Sequence, residues 1–274
     1  MLAVETRHAV HPTQVQGATT QDVRDHFLVD NLFAAGEIRL TYTHYDRFVM
    51  GGVVPDGKDL VLDVVPETKT ATFLERREMG VMAVAGTGRV TVAAETYEMS
   101  RGDVLYIGMG AGAVTFSGDA RFYLTSTPAH RTCPTRLIVM ADAAKVELGD
   151  AATANVRTIY QFIHPDVMES CQLTMGRTEL EVGSVWNTMP AHVHDRRMEA
   201  YLYIDVAPED RVVHLMGEPD QTRNIFVANE EGVLSPPWSI HSGCGTRNYS
   251  FIWAMGGENM DFTDMDFVNT EDLR

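Results

Sequence analysis

The hydrophobic and polar positions of the chain change their spacing near residue 37. Residues 20–33 place apolar side chains at roughly helical intervals, and Thr19 or Thr20 is a suitable N-cap, so this stretch predicts a helix. After residue 37, short runs rich in Val, Ile, Thr, Tyr and Phe alternate with Gly, Pro and Asp. Such regularly spaced short strands predict an antiparallel sandwich or barrel.

The strand pattern occurs twice. The strands predicted in the first half are Glu37–Tyr45, Phe48–Val54, Val81–Ala85, Arg89–Ala93, Val104–Gly108 and Arg121–Thr127. Those predicted in the second half are Ala154–His164, Gln172–Leu180, Ser184–Thr188, Ala200–Val206, Arg211–Met216, Asn224–Val227, Gly232–Leu234 and Asn248–Met255. Glu75-Arg76-Arg77 and Asp195-Arg196-Arg197 each precede an apolar strand, and this ordered likeness indicates a duplication.

These patterns predict an all-β, mostly antiparallel chain with two β-sandwich or jelly-roll barrels and a few short helices. Between the halves, a stretch of Pro, Thr and Ala-Asp clusters predicts a linker. The predicted divisions are an N-terminal extension (1–36), a first half without metal (37–130), a linker (131–150), a metal-binding second half (151–260) and an acidic surface tail (261–274).

The composition argues against several classes of function. The 274 residues carry 38 acidic and 22 basic side chains, and the net charge of −16 repels a phosphate backbone, so nucleic acid is not an expected partner. No apolar run approaches the roughly 20 residues of a membrane helix, and no basic amphipathic stretch predicts membrane binding. Three widely spaced cysteines form no disulfide framework, and the first residues lack a signal-peptide pattern, so we expect a cytoplasmic protein.

A histidine-rich segment in the second half predicts a metal site. His192 and His194 are two residues apart, so on a strand their imidazoles face the same side. A turn at residues 195–197 would bring Glu199 to the start of the next strand, and His241 follows a Pro-Pro turn 42 residues later. Three imidazoles and one carboxylate suit zinc, iron, manganese, nickel or copper, and they leave coordination positions open for substrate or water.

The first half keeps the pattern without the ligands. When the two arginine pairs are aligned, Thr72, Leu74 and Met79 occupy three of the ligand positions, and the turn at residues 102–113, which has the spacing of the second cupin motif, places Ala113 at the fourth. This set does not suit a divalent transition metal, so we expect the fold twice and the metal once. Glu78 lies one residue from a ligand position, which leaves a shifted register open.

The spacing of the four predicted ligands resembles the two cupin motifs, although Trp186, Trp238 and Gly245 replace residues that those motifs usually carry. Longer stretches, at residues 73–78, 186–199, 235–243 and 264–274, resemble the 5-keto-4-deoxyuronate isomerase family. This resemblance covers nearly the whole chain. It implies a double cupin, often hexameric, with one zinc ion held by His192, His194, Glu199 and His241. It also implies conversion of 4-deoxy-L-threo-5-hexosulose uronate to 3-deoxy-D-glycero-2,5-hexodiulosonate in the breakdown of pectin-derived uronates.

An isomerisation of this kind needs a Lewis acid that polarises the carbonyl and a base that carries a proton between two carbons. The sequence does not identify the base. Tyr201 and Tyr203 share strand parity with Glu199, so either is a candidate for catalysis or for barrel packing. Arg196 and Arg197 are candidates for binding the substrate carboxylate. A structural salt-bridge role is equally open for them, because the corresponding arginines of the first half adjoin no predicted metal.

Two other functions stay open at this point. A cupin with three His and one Glu can be an iron- or copper-dependent dioxygenase, which an oxygen-uptake assay would reveal. A non-catalytic sugar-acid-binding protein is the other, although the sequence shows no effector module such as a helix-turn-helix. The roles of His44 and His130, either of which could reach the site, and of Cys244, three residues after His241, also stay open.

Overall fold

The structure, a computed structural model, describes residues 1–258 and 263–274. It divides into two compact units. The first unit comprises Met1–Arg7, Asn31–Ala144 and Phe162–Met175, and the second comprises His8–Asp30, Lys145–Gln161 and Gly176–Arg274. The predicted boundary between residues 260 and 261 lies outside the described residues, and the other predicted boundaries stay predictions.

Short strands dominate the secondary structure of the described residues. The first twelve strands are β1 (Leu2–Arg7), β2 (Leu28–Val29), β3 (Glu37–Thr43), β4 (Val49–Val54), β5 (Leu60–Val61), β6 (Arg77–Ala85), β7 (Thr87–Val92), β8 (Glu95–Ser100), β9 (Val104–Ile107), β10 (Val114–Gly118), β11 (Arg121–Pro128) and β12 (Arg136–Ile138). The later strands are β13 (Ala144–Leu148), β14 (Arg157–Ile163), β15 (Thr174–Leu180), β16 (Trp186–Asn187), β17 (His192–Val193), β18 (Arg197–Ile204), β19 (Val212–Glu218), β20 (Gln221–Val227), β21 (Gly232–Ser235), β22 (Ser242–Gly245), β23 (Ser250–Gly257) and β24 (Asp266–Phe267). Over residues 1–258 and 263–274 the helices are α1 (Pro12–Gln16), α2 (Thr20–Phe27) and four 3-10 turns at Pro66–Thr68, Met140–Asp142, Ala151–Thr153 and Thr270–Asp272.

The same sheet arrangement occurs twice. The first unit has a seven-stranded sheet in the order β1-β3-β4-β11-β6-β9-β12 and a four-stranded sheet in the order β5-β10-β7-β8. The later strands form a seven-stranded sheet in the order β13-β14-β15-β23-β18-β21-β2 and a four-stranded sheet in the order β16-β22-β19-β20. Strands β17 and β24 form a small antiparallel pair. The all-β prediction and the duplication are confirmed.

Alternation of side chains explains how the first unit forms its core. In β7 the buried positions are Gly88, Val90 and Val92, so every second side chain of this strand faces inward. Phe116 and Phe122, both fully buried, add rings whose centroids are 5.4 Å apart. Burying each such ring is worth about 1.5–3 kcal/mol, and a two-sheet core collects many of these contributions.

Helix α2 begins where the sequence predicts it and ends earlier. Thr19 Oγ1 accepts a hydrogen bond from the amide of Asp22 at 3.2 Å, and the Asp22 carboxylate accepts one from the amide of Thr19 at 2.9 Å, which forms a capping box. The prediction that the helix extends to residue 33 is wrong. Leu28 and Val29 instead pair with β21, so β-pairing replaces the last helical turns. None of the described helices has the length and apolar character of a membrane span.

The segment predicted as a linker contains regular structure. Strand β12 pairs with β9, with Arg136 opposite Tyr106 and Ile138 opposite Val104, and β13 joins the edge of the later seven-stranded sheet. Both strands are short, and each contains at least one charged residue beside its apolar ones. They lie at sheet edges, where a strand needs fewer apolar side chains than a central strand does.

Candidate metal centre and adjoining cavity

Three chain segments bring the four predicted ligands together in the second unit. His192 lies in β17 and His194 directly follows it. A turn then reverses the chain, with the amide of Arg197 donating to the carbonyl of His194 at 3.4 Å, and Glu199 is the third residue of β18. His241 directly precedes β22 and follows the turn at residues 236–239. The predicted turn is therefore what places Glu199 beside the two histidines.

The ligand atoms of these four side chains form a compact group. All of them lie within 4.8 Å of one another. His241 Nε2 is 2.8 Å from Glu199 Oε2 and 3.0 Å from His192 Nε2, and His194 Nε2 is 3.1 Å from Glu199 Oε2. Ligand atoms bound to one ion at 2.0–2.2 Å stand about 3 Å apart. The separations therefore match a shared divalent cation.

The hydrogen bonds of His194 provide a test of that fit. Its Nδ1 donates to the carbonyl oxygen of Arg197 at 2.9 Å, so in the neutral ring Nε2 carries a lone pair. That lone pair faces a carboxylate oxygen of Glu199. Two electron-rich atoms at this distance call for a cation between them or a proton on the ring. A backbone carbonyl that fixes the tautomer of a histidine is also a frequent support of metal ligands. The donor set fits a divalent transition metal.

Burial and mutual charge set the ionisation of the group. His194, Glu199 and His241 are 2%, 4% and 1% exposed. Burial together with the neighbouring His241 lowers the pKa of His192 to about 3, so this ring is neutral at physiological pH. Burial alone would raise the pKa of Glu199, but His241 and His194 outweigh it and hold that pKa below its usual range. His192 and Glu199 therefore adopt the neutral-imidazole and carboxylate forms that a metal needs, whereas at His194 burial is outweighed by the hydrogen bond to Glu199, which raises the pKa of that ring.

The group opens on a cavity of about 380 Å³. This volume suits a small organic ligand. The lining residues are Val146, Leu148, Arg157, Ile159, Gln161, Thr178, Thr188, Met189, Pro190, His192, Glu199, Tyr201, Phe251, Trp253, Met255, Met265 and Phe267. Most of these lining side chains are apolar and few are polar, which is typical of a site that orients a ligand by a small number of polar contacts.

The floor of the cavity is one face of the later seven-stranded sheet. Every second residue of β14 and of β23 contributes a side chain to it, as the strand period requires. The indole ring of Trp253 packs against Gly176. A Cβ atom added to this glycine would lie only 2.1 Å from Cζ2 of the indole. Glycine at position 176 therefore makes room for the ring.

Residues 263–274 contribute to one wall of the cavity. Strand β24 pairs with β17, with Phe267 opposite His192 and Asp266 opposite Val193. Asp264 fixes this segment through an ion pair of 2.7 Å with Arg197. Met265 and Phe267 both line the cavity, although Phe267 remains 68% exposed. Residues 263–274, predicted as a surface tail, thus contribute to the wall of the site.

The two tyrosines proposed from strand parity differ in position. Tyr201 lines the cavity next to Glu199, and its hydroxyl is 3.1 Å from Thr188 Oγ1. Tyr203 is fully buried and does not line the cavity. Its hydroxyl is 2.8 Å from Nδ1 of His214, a ring whose pKa is lowered to about 3 by burial. Tyr203 therefore supports the barrel wall behind Tyr201.

The two arginines proposed for the substrate carboxylate are placed elsewhere. Arg196 lies at the surface and pairs with Glu258 at 2.9 Å. Arg197 is 1% exposed and pairs with Asp264. Neither side chain lines the cavity. The structural alternative, ion pairs that hold neighbouring segments together, describes what both arginines do in this structure.

The remaining residues left open by the sequence also lie outside the cavity wall. His44 packs edge-on against Tyr42, and His130 lies 3.4 Å from the Cys171 thiol. Cys244 lies in β22 opposite Trp186, and burial raises the pKa of its thiol. Among the described residues, none of these three side chains joins the group of metal-binding candidates.

Glu78 resolves the question of a shifted register in the first unit. It is fully buried, and its carboxylate accepts hydrogen bonds from the backbone amides of Cys171, Gln172 and Leu173 at 2.5–2.7 Å and from the Tyr106 hydroxyl at 2.5 Å. Among the described residues no second group of metal-binding candidates is found. The carboxylate of Glu78 thus has a structural role, because it holds the backbone of residues 171–173 and the Tyr106 hydroxyl.

Arg157, Trp253 and Phe267 are site residues that the sequence analysis missed. Arg157 stands in a strand that was predicted, and the alternation Arg157-Ile159-Gln161 would have placed all three side chains on one face. The sequence around Trp253 indicated an apolar strand and gave no sign that this side chain lines a cavity. Phe267 enters the site through pairing with a distant segment, which no local pattern reports.

Comparison with known proteins places the chain among related sequences. The model of the KduI/IolB family matches residues 28–273. The 4-deoxy-L-threo-5-hexosulose-uronate ketol-isomerase of Agrobacterium fabrum is 60% identical over 274 residues, which is 100% of both chains. Proteins of the same name from Cereibacter sphaeroides and Bacillus pumilus are 58% and 52% identical and cover 100% and 99% of this chain, and 100% of each relative.

Solved structures support the fold. An IolB-like protein from Salmonella typhimurium superposes with a TM-score of 0.70 at 17% identity, covering 88% of this chain and 96% of its own. Oxalate decarboxylase of Bacillus subtilis superposes with a TM-score of 0.58 at 10% identity, covering 81% and 71%. The predicted cupin-like, double-barrel architecture is confirmed.

Proposed function

We propose that this chain, which belongs to the KduI/IolB family, is a ketol-isomerase that acts on 4-deoxy-L-threo-5-hexosulose uronate. One observation carries the proposal: three imidazoles and a carboxylate converge at the wall of a cavity of small-ligand size, in a chain that matches named isomerases from end to end. The named relatives support this reaction, and the cavity beside the four side chains supports a site for it.

The proposed reaction exchanges an aldehyde for a ketone within one molecule. A hydrogen leaves the carbon that bears the hydroxyl next to the aldehyde, and a hydrogen is added to the aldehyde carbon. The hydroxyl proton moves to the former aldehyde oxygen, so the carbonyl ends one carbon further along the chain. No redox partner is needed, because one carbon is oxidised while its neighbour is reduced.

The side chains of the site fit this chemistry. A divalent cation held by His192, His194, Glu199 and His241 would polarise the reacting carbonyl as a Lewis acid. Tyr201 is the hydroxyl in the cavity wall next to Glu199, and Thr188 orients it, so Tyr201 is our candidate for moving a proton between the two carbons or their oxygens. Trp253, Met265 and Phe267 give this cavity an apolar wall.

Four further features belong to the proposal. Zinc is the proposed metal, because the donor set of nitrogen and carboxylate ligands suits it, although iron, manganese, nickel and copper share that preference. A hexameric assembly, a cytoplasmic location and a role in the breakdown of pectin-derived uronates rest on the family resemblance described above.

NMR of the uronate incubated with metal-loaded protein in heavy water tests the function. We expect the aldehyde signal to disappear and the ketol product to appear, with one deuterium at the newly formed hydroxymethyl carbon. Product without deuterium would keep the isomerase function and would show that the transferred hydrogen does not exchange with the solvent. Oxygen uptake with loss of carbon–carbon bonds would establish a dioxygenase, and tight binding without any product would establish a sugar-acid-binding protein.

A further inference from the structure

The charges along the cavity wall are distributed unevenly. At the metal end, the wall contains Glu199 and the neutral ring of His192. Along the rest of the wall, Arg157 is the one cationic side chain among the described lining residues. A ligand that fills the cavity therefore meets the metal-binding group on one side and a single guanidinium elsewhere.

Arg157 is held in place but keeps hydrogen-bonding capacity. It lies at the start of β14 with its side chain half-buried, and its Nη1 donates to the carbonyl oxygen of Asn155 at 2.9 Å. Burial lowers its pKa, while the hydroxyls of Tyr201 and Tyr249 favour its charged form. Among the described residues Arg157 makes no ion pair with a carboxylate.

The contrast with the other two arginines of this region is informative. Arg196 and Arg197 each have a carboxylate partner within 3 Å and neither faces the cavity. A partly desolvated guanidinium with remaining N–H donors is stabilised by an anion, and its planar fork matches a carboxylate in a bidentate manner. Arg157 presents this arrangement to the cavity.

We infer that Arg157 forms a carboxylate subsite in this cavity, where its guanidinium binds the carboxylate of a short sugar acid whose carbonyl end faces the four-ligand group. The inference rests on the proposed function for the identity of the acid. In that substrate the carboxylate and the reacting aldehyde lie at opposite ends of a six-carbon chain, so the subsite would orient the substrate and exclude neutral sugars. Arg157 is a binding and specificity residue and takes no part in proton transfer.

Steady-state kinetics with the uronate and with its neutral C6 methyl ester tests this subsite. In the wild-type protein we expect KM for the ester to exceed that for the uronate by roughly 10- to 100-fold, the range for a charge-assisted hydrogen-bonded pair. Arg157→Met should raise KM for the uronate by a similar factor and leave KM for the ester within about twofold. Arg157→Lys keeps the charge and loses the planar fork, so its KM for the uronate should lie between those of the wild-type protein and Arg157→Met. This variant replaces Arg157→Met in the test if the methionine variant does not fold.

Two further measurements separate binding from a structural role. Added methylguanidine should restore part of the uronate activity of Arg157→Ala, which a purely structural role of the arginine would not allow. Arg196→Gln is the matched control, because it removes an arginine from the same unit that is paired at the surface, and its KM should be unchanged. An unchanged KM in Arg157→Met, or the full rise in Arg196→Gln instead, would overturn the inference while leaving the isomerase function intact.

If the wild-type protein did not convert the uronate at all, the proposed function would fail and the subsite would be tested by binding. Calorimetric titration with D-galacturonate and with D-galactose is then the measurement. Binding of the acid alone, abolished in Arg157→Met, would support the subsite. Equal binding of acid and neutral sugar, or no loss in the variant, would reject it.

Discussion

The two units contain the same three-strand arrangement, but its central strand carries a core residue in the first unit and a candidate metal ligand at the corresponding position in the second. In the first unit β6 lies between β9 and β11, with Met79 opposite Ile107. In the second unit β18 lies between β21 and β23, with Glu199 opposite Ser235. Met79 and Glu199 therefore occupy corresponding positions in the two sheets. One is part of an apolar core and the other faces three histidines.

The position of the acidic residue on the strand decides this difference. Glu78 precedes the position of Met79 by one residue, so its side chain points to the opposite face, where backbone amides and Tyr106 surround the carboxylate. Glu199 faces the barrel interior, where His241 and His194 contact it. A shift of one residue on a strand thus separates a carboxylate that holds a loop from a carboxylate that can hold a metal.

The largest expected effect comes from making the second unit resemble the first. Glu199→Met removes the one anionic ligand and copies the side chain at the corresponding position. We expect metal content to fall far below one ion per chain and kcat/KM to fall by on the order of 1000-fold, because Lewis-acid stabilisation is lost. Elemental analysis and turnover measure this. Met79→Leu in the first unit is the matched control and should change neither quantity; full metal content and activity in Glu199→Met would refute the assignment.

A change at Glu78 should act on stability instead. Glu78→Gln keeps the size of the side chain but places an amide N–H₂ group among four donors, which loses charge-assisted hydrogen bonds. We expect a loss of about 3 kcal/mol in the free energy of unfolding, with unchanged metal content in the folded protein. Urea denaturation compared with Glu98→Gln, an exposed glutamate of the same unit, is the measurement. Metal loss at unchanged stability would assign Glu78 to a metal site.

The smallest of the three effects concerns the buried arginines. Arg77 of the first unit donates to the carbonyls of Arg47 and Ser126, whereas Arg197 pairs with Asp264 and so fixes the segment that carries β24. Asp264→Asn keeps an acceptor but removes the charge, so we expect a loss of about 1–2 kcal/mol. Faster hydrogen exchange at the Val268 amide, which donates to the carbonyl of Ala191 at 2.9 Å, would report the loosened segment. Glu258→Gln, the surface partner of Arg196, should leave that exchange unchanged.

Much of the site could be predicted because its signals are local. Two histidines two residues apart must share a face of a strand, and the turn that follows them was required to bring Glu199 back. The strand predictions agree with the structure for the same reason, since alternation and punctuation by Gly and Pro are local patterns. The duplicated arrangement of strands followed from their order.

The parts that failed depend on distant segments. The helix predicted to residue 33 ends at Phe27, because Leu28 and Val29 pair with a strand two hundred residues later. The wall formed by Met265 and Phe267 depends on an ion pair between Arg197 and Asp264. Sequence proximity to the histidines suggested Arg196 and Arg197 as substrate ligands, but the strand geometry turns Arg157 toward the cavity instead. Tertiary pairing decides these contacts, and a single sequence does not report it.

The proposed function depends on one cation held by the four side chains of the second unit. A crystal structure of the metal-loaded protein, with anomalous scattering recorded on both sides of the zinc absorption edge, tests it directly. We expect one anomalous peak per chain, about 2.0–2.2 Å from the ligand atoms of His192, His194, Glu199 and His241. A peak beside Glu78, or no peak at the four-ligand group in active protein, would contradict it.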